Sequence, residues 1–265
     1  MNERISTGIT NLDKTIEGGY KKRSINLIEG GPGTGKSIIS MQYLLNGISK
    51  GENGVYITFE EEKENLIDNL SEFNWNLDKL IKEEKLVILS MSPEEIKETV
   101  EKKSFDLKFE ILKKIKAHRI VIDSVTAYSL LFESGIKRIE ALHKLFSALR
   151  GFDCTSLLIS EREVTIDSDS LTKDDIEFEV DSIIALYNVR KNNTRERALE
   201  VKKIRGTKNL QKIFPMKITD KCIDIFPNQA FLIRVLLGRF LNNYERRFLV
   251  LSFFLFLLFF TFFWK

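Results

Sequence analysis

Cysteine, histidine and proline are scarce in this 265-residue chain. The two cysteines, Cys154 and Cys222, lie far apart and fit no CxxC or zinc spacing. That excludes a disulfide scaffold, and we read both as reduced thiols of a cytoplasmic protein. The two histidines, His118 and His143, fit no metal or triad spacing, and both read as structural. No Pro-, Gly- or Ser-rich linker and no internal repeat interrupts the chain. Residues 1–8 lack the apolar core of a signal peptide. Apolar residues at 43% and charged residues at 30% are ordinary globular values, which excludes intrinsic disorder and collagen.

Charge of one sign is lacking too, because the net value is only +3. Arg234, Arg239, Arg246, Arg247 and Lys265 against Glu245 give the tail from Asn228 onward +4, leaving −1 for residues 1–227. A nucleic-acid footprint needs a clustered basic face, and the body shows no such excess.

What is present is alternation. Short apolar runs occur at Ser24–Glu29, Val55–Phe59, Leu86–Ser90, Arg119–Asp123 and Thr155–Ser160. Runs apolar nearly throughout fit strands buried on both faces of a parallel sheet. Helical patterns at Lys36–Ser49, Lys63–Phe73, Pro93–Lys103, Asp106–Lys116 and Lys137–Arg150 lie between them. The expectation is a mostly parallel, doubly wound α/β domain over residues 1–227. Glu163–Asp175 reads as a polar loop. Asp181–Asn188, Ala198–Ile204 and Phe214–Ile218 follow without long helices between them, which predicts antiparallel edge strands.

Gly30-Gly31-Pro32-Gly33-Thr34-Gly35-Lys36-Ser37 fits the phosphate-loop pattern G-x-x-x-x-G-K-[ST], after a strand and before a helix. Glycines there let successive backbone N–H groups turn inward around a phosphate, and the helix N-terminus adds its dipole. The nucleotide-binding set is read as Gly31, Pro32, Gly33, Thr34, Gly35, Lys36, Ser37 and Ile38. Lys36 is expected to reach the β- and γ-phosphates of ATP and Ser37 to ligate Mg²⁺. Asp123, at the end of an apolar strand, is the candidate second carboxylate on the magnesium side; a helix N-cap is the plainer alternative. Glu60, Glu61 and Glu62 follow strand 55–59 directly. A carboxylate there suits a base for an attacking water, but also the acidic first turn of helix 63–73. The residues alone leave both open, with Glu62 the better helix start.

Together these pieces resemble the KaiC-like ATPases of the RecA superfamily. The matching segments are ISTGITNLDKTIEGG (5–19), the phosphate loop, YITFEE (56–61), RIVIDSVTAY (119–128), SER (160–162), KKIRGTKN (202–209) and ITDKCIDIFP (218–227). The resemblance implies a RecA-like P-loop fold, ATP hydrolysis, and a hexameric ring holding ATP between subunits. It implies catalytic roles for Glu60 and Glu61. It implies that Lys203 and Arg205 reach the γ-phosphate of a neighbouring subunit, and that Glu161 and Arg162 sense nucleotide state. Only one P-loop is present, so neither an autokinase activity nor a circadian role carries over. A regulatory ATPase acting on a partner protein is the leading expectation. A RadA-like DNA-binding recombination paralogue and a nucleotide-gated, non-hydrolysing scaffold are the alternatives.

The tail stands apart. Phe248–Trp264 holds no charge, and eight of the 20 phenylalanines fall in the last 18 residues. As a helix it spans about 25 Å, the short end of the membrane-crossing range. A C-terminal membrane anchor, an oligomer-interface helix and a frameshifted or read-through gene end all fit.

Overall fold

The computed structural model describes residues 3–102, 114–164, 176–191, 194–208 and 212–229. Most of helix Asp106–Lys116, most of the polar loop and the whole hydrophobic tail, including its expected helix, lie outside these residues. No helix among the described residues is long and apolar enough to cross a membrane.

Chain order begins with β1 (Arg4–Ile5), α1 (Thr10–Thr15), β2 (Tyr20–Lys21), β3 (Ile25–Gly30) and α2 (Lys36–Ile48). Then come β4 (Gly54–Thr58), α3 (Lys63–Asn69), α4 (Leu77–Lys82), β5 (Leu86–Ser90) and α5 (Pro93–Lys102). After these follow β6 (Arg119–Asp123), α6 (Val125–Leu130), α7 (Gly135–Arg150), β7 (Thr155–Ser160) and α8 (Ile176–Glu179). The last strands are β8 (Ser182–Lys191), β9 (Thr194–Ile204), β10 (Ile213–Ile218) and β11 (Ile223–Ile225). One nine-stranded sheet runs β11-β10-β9-β8-β3-β7-β6-β4-β5. From β8 to β5 every pairing is parallel, while β9, β10 and β11 add on antiparallel. The α/β class, the parallel centre and the antiparallel edge are as the sequence predicts.

Two-residue periodicity builds two cores. In β4, Val55 and Ile57 face one side and Tyr56 the other; in β6, Ile120 and Ile122 oppose Val121. Leu12, Tyr43, Leu44, Leu66 and Leu77 from α1 to α4 cover one face, and Ile96, Tyr128, Leu145 and Phe146 from α5 to α7 cover the other. The expected helix 63–73 is instead α3 followed by a 3₁₀ turn at Ser71–Phe73, and Asn74 in the left-handed region ends it. His118 Nδ1 accepts the Asn53 amide at 3.0 Å.

Arg119 is 1% exposed at the start of β6. Its guanidinium donates to Glu52, to the Ser6 carbonyl at 2.9 Å and to the Tyr43 carbonyl at 2.7 Å, and lies over the Tyr43 ring. The charge is therefore paired and hydrogen-bonded, the condition for burying it. Gly47 of α2 makes room: a Cβ there would stand 2.3 Å from Arg119 Nε and 2.6 Å from Glu52 Oε2. Gly47→Ala should gain about 0.5–1 kcal/mol of helix propensity and lose about 1–3 kcal/mol to overpacking. We expect a lower Tm by thermal denaturation; an unchanged or higher Tm would refute the close approach.

Candidate functional site

β3 delivers the phosphate loop at the carboxyl edge of the parallel strands, where doubly wound sheets bind ligands. Gly33 and Gly35 hold φ of +70° and +100°, conformations that side chains rarely adopt. Thr34 Oγ1 donates to the Gly31 carbonyl at 2.9 Å, and Arg197 Nε to the Gly33 carbonyl at 2.9 Å, pinning the turn. The β10–β11 edge buttresses it from outside: Ile223 and Ile218 come within 3.0 and 3.3 Å of the point a Gly35 Cβ would occupy. Gly35 is the N-cap of α2, so its N-terminus opens onto the loop. Ile38 packs half-buried against the core under α2.

Lys36 is nearly buried, donates to the Gly31 carbonyl at 3.2 Å and lies 3.8 Å from Glu161 Oε1. Ser37 Oγ donates to Asp123 Oδ2 at 3.3 Å. The same Asp123 oxygen accepts the Tyr56 hydroxyl at 2.5 Å. Burial, joined by the nearby Glu60 charge, pushes the Asp123 carboxyl up to about 6 against Tyr56, Lys36 and Ser37, which pull it down. Burial and Glu60 likewise push the Glu161 carboxyl up, with Lys36 opposing.

Glu60 and Glu61 part company. Both amides turn back onto Thr58 Oγ1 at 3.3 Å. Glu60 Oε1 then accepts the Ser124 hydroxyl at 2.7 Å, beside Asp123. Glu61 Oε2 accepts Asn69 Nδ2 at 2.9 Å. Glu62 is the N-cap of α3, the helix-start place the sequence favours for it.

Two predicted groups lie elsewhere. Ile204 pairs with Ser182, which pairs with Asn26, whereas the loop leaves from Gly30. Lys203 and Arg205 thus sit at the opposite edge of the sheet, about 13 Å away along the strand direction at 3.3 Å per residue. Lys203 Nζ donates to the Glu177 and Val180 carbonyls at 2.6 and 2.9 Å. Arg205 donates to the Phe178 carbonyl and lies 3.8 Å from Asp181. Burial and Arg205 lower the Lys203 pKa. Arg162 turns away from the loop to pair with Glu177 at 2.8 Å, while Glu161 stays beside Lys36.

Sequence reading missed Tyr56, Ser124, Thr58 and Arg197. Tyr56 and Thr58 sit inside the apolar run at 55–59, where no spacing singles them out; the cap that the sequence offers to Asp123 is made by Ser124 instead. Arg197 had no signal short of the strand pairing.

Nucleotide phosphates fit this loop, with its left-handed glycines at 33 and 35, the N-terminus of α2 opening onto it, and Lys36 held by the Gly31 carbonyl and facing Glu161. Mg²⁺ suits the Ser37 and Asp123 oxygens, hard donors 3.3 Å apart.

Comparison with known proteins agrees with the geometry. The family described as "ATPase: KaiC" matches residues 5–230. A UPF0273 protein of Thermotoga maritima is 36% identical over 242 residues, 87% of this chain and 98% of that protein. The circadian clock oscillator protein KaiC of Nostoc sp. is 35% identical over 85% of this chain but only 44% of its own length, so the chain spans less than half of that clock protein. A crystal structure of a KaiC-like protein from the hyperthermophilic archaeon Pyrococcus horikoshii superposes with a TM-score of 0.74 at 29% identity, covering 86% of this chain and all of the other. With the family model matched over residues 5–230 and the Thermotoga relative matched over nearly its whole length, the chain belongs to the KaiC ATPase family.

Proposed function

We propose that the chain hydrolyses ATP as a ring, with each nucleotide completed by a neighbour, and that nucleotide state switches a partner protein. The observation that carries this reading is the separation of the basic pair from the loop. Lys203 and Arg205 stand at the sheet edge opposite Lys36, so a role at the γ-phosphate requires a second copy packed head to tail. Such packing generates a closed ring when the rotation closes, and a hexamer is the size the resemblance implies.

Within one subunit, the loop amides and Lys36 bind and orient the phosphates. Mg²⁺, held by Ser37 and Asp123, would supply charge neutralisation at the β- and γ-oxygens. Glu60 lies on the phosphate side, fixed by Ser124, and orients and deprotonates water. Lys203 and Arg205 of the next copy would stabilise charge on the transferring group, as an arginine finger does. DNA binding draws less support: Lys202, which opens the basic run 202–208, is tied at 2.8 Å to the buried Glu29.

The test uses full-length variants mixed in pairs, with phosphate release and particle size followed together. Arg205→Ala should lose turnover yet keep ATP binding. Lys36→Ala should lose both. Mixed, the two should regain turnover, because some sites then combine an intact loop with an intact arginine. Two inactive variants that stay inactive when mixed, in particles that do contain both, would refute completion in trans.

A further inference from the structure

We propose that Tyr56 is a positioning residue that holds Asp123 for a divalent cation, an inference that rests on the nucleotide-binding reading above. Tyr56 lies in the middle of β4 and is fully buried. β4 pairs with β6 in parallel, Tyr56 opposite Val121 and Thr58 opposite Asp123. The phenol therefore leans forward along the strand by two residues to meet the carboxylate. Its hydroxyl lies 2.5 Å from Asp123 Oδ2, which also accepts Ser37 Oγ at 3.3 Å. An ionised carboxylate only accepts hydrogen bonds, so the phenol is the donor. Two hydroxyls from two elements fix one oxygen and leave acceptor capacity on the group for a cation or its water.

Packing alone does not require this hydroxyl. The neighbouring strand positions are aliphatic, and phenylalanine would fill the same space. Tyr43 and Tyr128, also buried, satisfy their hydroxyls on the main-chain carbonyls of Thr155 at 3.0 Å and Ala141 at 3.4 Å. Tyr56 instead meets the carboxylate proposed to hold the cation. Hydrogen-bond partners behind a metal ligand fix its orientation, and removing one costs about 10- to 100-fold in metal affinity or activity.

Full-length Tyr56→Phe tests it by fluorescent-ATP binding, titrated with Mg²⁺ and, separately, in EDTA. The Mg²⁺ concentration for half-maximal enhancement should rise by about 10- to 100-fold, while affinity in EDTA holds within about twofold. Equal losses in both arms would reveal a merely structural role and overturn the proposal, as would an unchanged Mg²⁺ requirement. Adding Tyr56→Phe to Asp123→Asn supplies the second check. With the carboxylate gone, the phenol no longer holds an anionic cation ligand, and the further change in Mg²⁺ requirement should stay within about twofold. A second full loss would place the effect elsewhere. An unaltered chain that binds no nucleotide overturns the site reading itself. One that binds without turnover overturns only the hydrolysis, and the Mg²⁺ titration still decides about Tyr56.

Discussion

Glu60→Gln should slow single-turnover phosphate release by about 10²- to 10⁴-fold at saturating ATP, the range that a positioned general base supplies. Glu61→Gln should cost less than about tenfold. The neighbours are chemically identical, so the difference rests on their partners. Glu60 accepts the Ser124 hydroxyl at 2.7 Å and perturbs both Asp123 and Glu161, which places its charge among the groups around Lys36. Glu61 is held by Asn69 at 2.9 Å on α3, and a glutamine there keeps an oxygen for the same bond. Neither change touches the phosphate loop, so ATP affinity should be retained in both. The reverse ranking, Glu61→Gln the slower, would move the base by one residue. Equal and small effects would demote the pair to a helix-start cluster, the plainer reading that the sequence leaves open.

How far the sequence could see depended on whether a feature was local. The phosphate loop is contiguous, so its spacing and its place between strand and helix could be read directly. Strands β3 to β7 are apolar on both faces and announce themselves by composition. Antiparallel edges follow from the missing helices after Arg162. α6 was not legible: six residues, VTAYSL, show too little periodicity, and the helix depends on Ser124 capping the Ala127 amide. Nor was β11, a three-residue strand whose place depends on Gln42 of α2, which bonds both the amide and the carbonyl of Ile223. The site split in the same way. Lys36, Ser37 and Asp123 lie on one motif or at one strand end and could be named. Tyr56 acts through a neighbouring strand, and pairing register is invisible in composition. Separation of the basic pair from the loop is likewise a fact of register: the KIRG run looks the same at either edge of the sheet.

Asp123→Asn should make the nucleotide-free protein more stable while abolishing Mg²⁺-dependent turnover. Asp123 is 7% exposed, and burial raises its pKa from 3.8 to about 6. The fold therefore holds this proton more tightly than the unfolded chain does. As pH rises from about 4 to about 6 the unfolded chain releases the proton first, and stability falls; above that range the loss is constant. A shift of this size corresponds to about 3 kcal/mol at pH 8, and to about half of that at pH 5. Asparagine carries no charge to desolvate and can still accept from Tyr56. Melting without Mg²⁺ or nucleotide should accordingly show a higher Tm for Asp123→Asn at pH 8 and a smaller gain at pH 5. An equal gain at both would locate the effect in packing rather than ionisation, and a lower Tm would mean that Lys36, Ser37 and Tyr56 already compensate the buried charge. The penalty has a physical purpose on this reading. A carboxylate comfortable in the empty site would have little to gain from a cation, whereas one held ionised against burial gives that free energy back when the metal arrives.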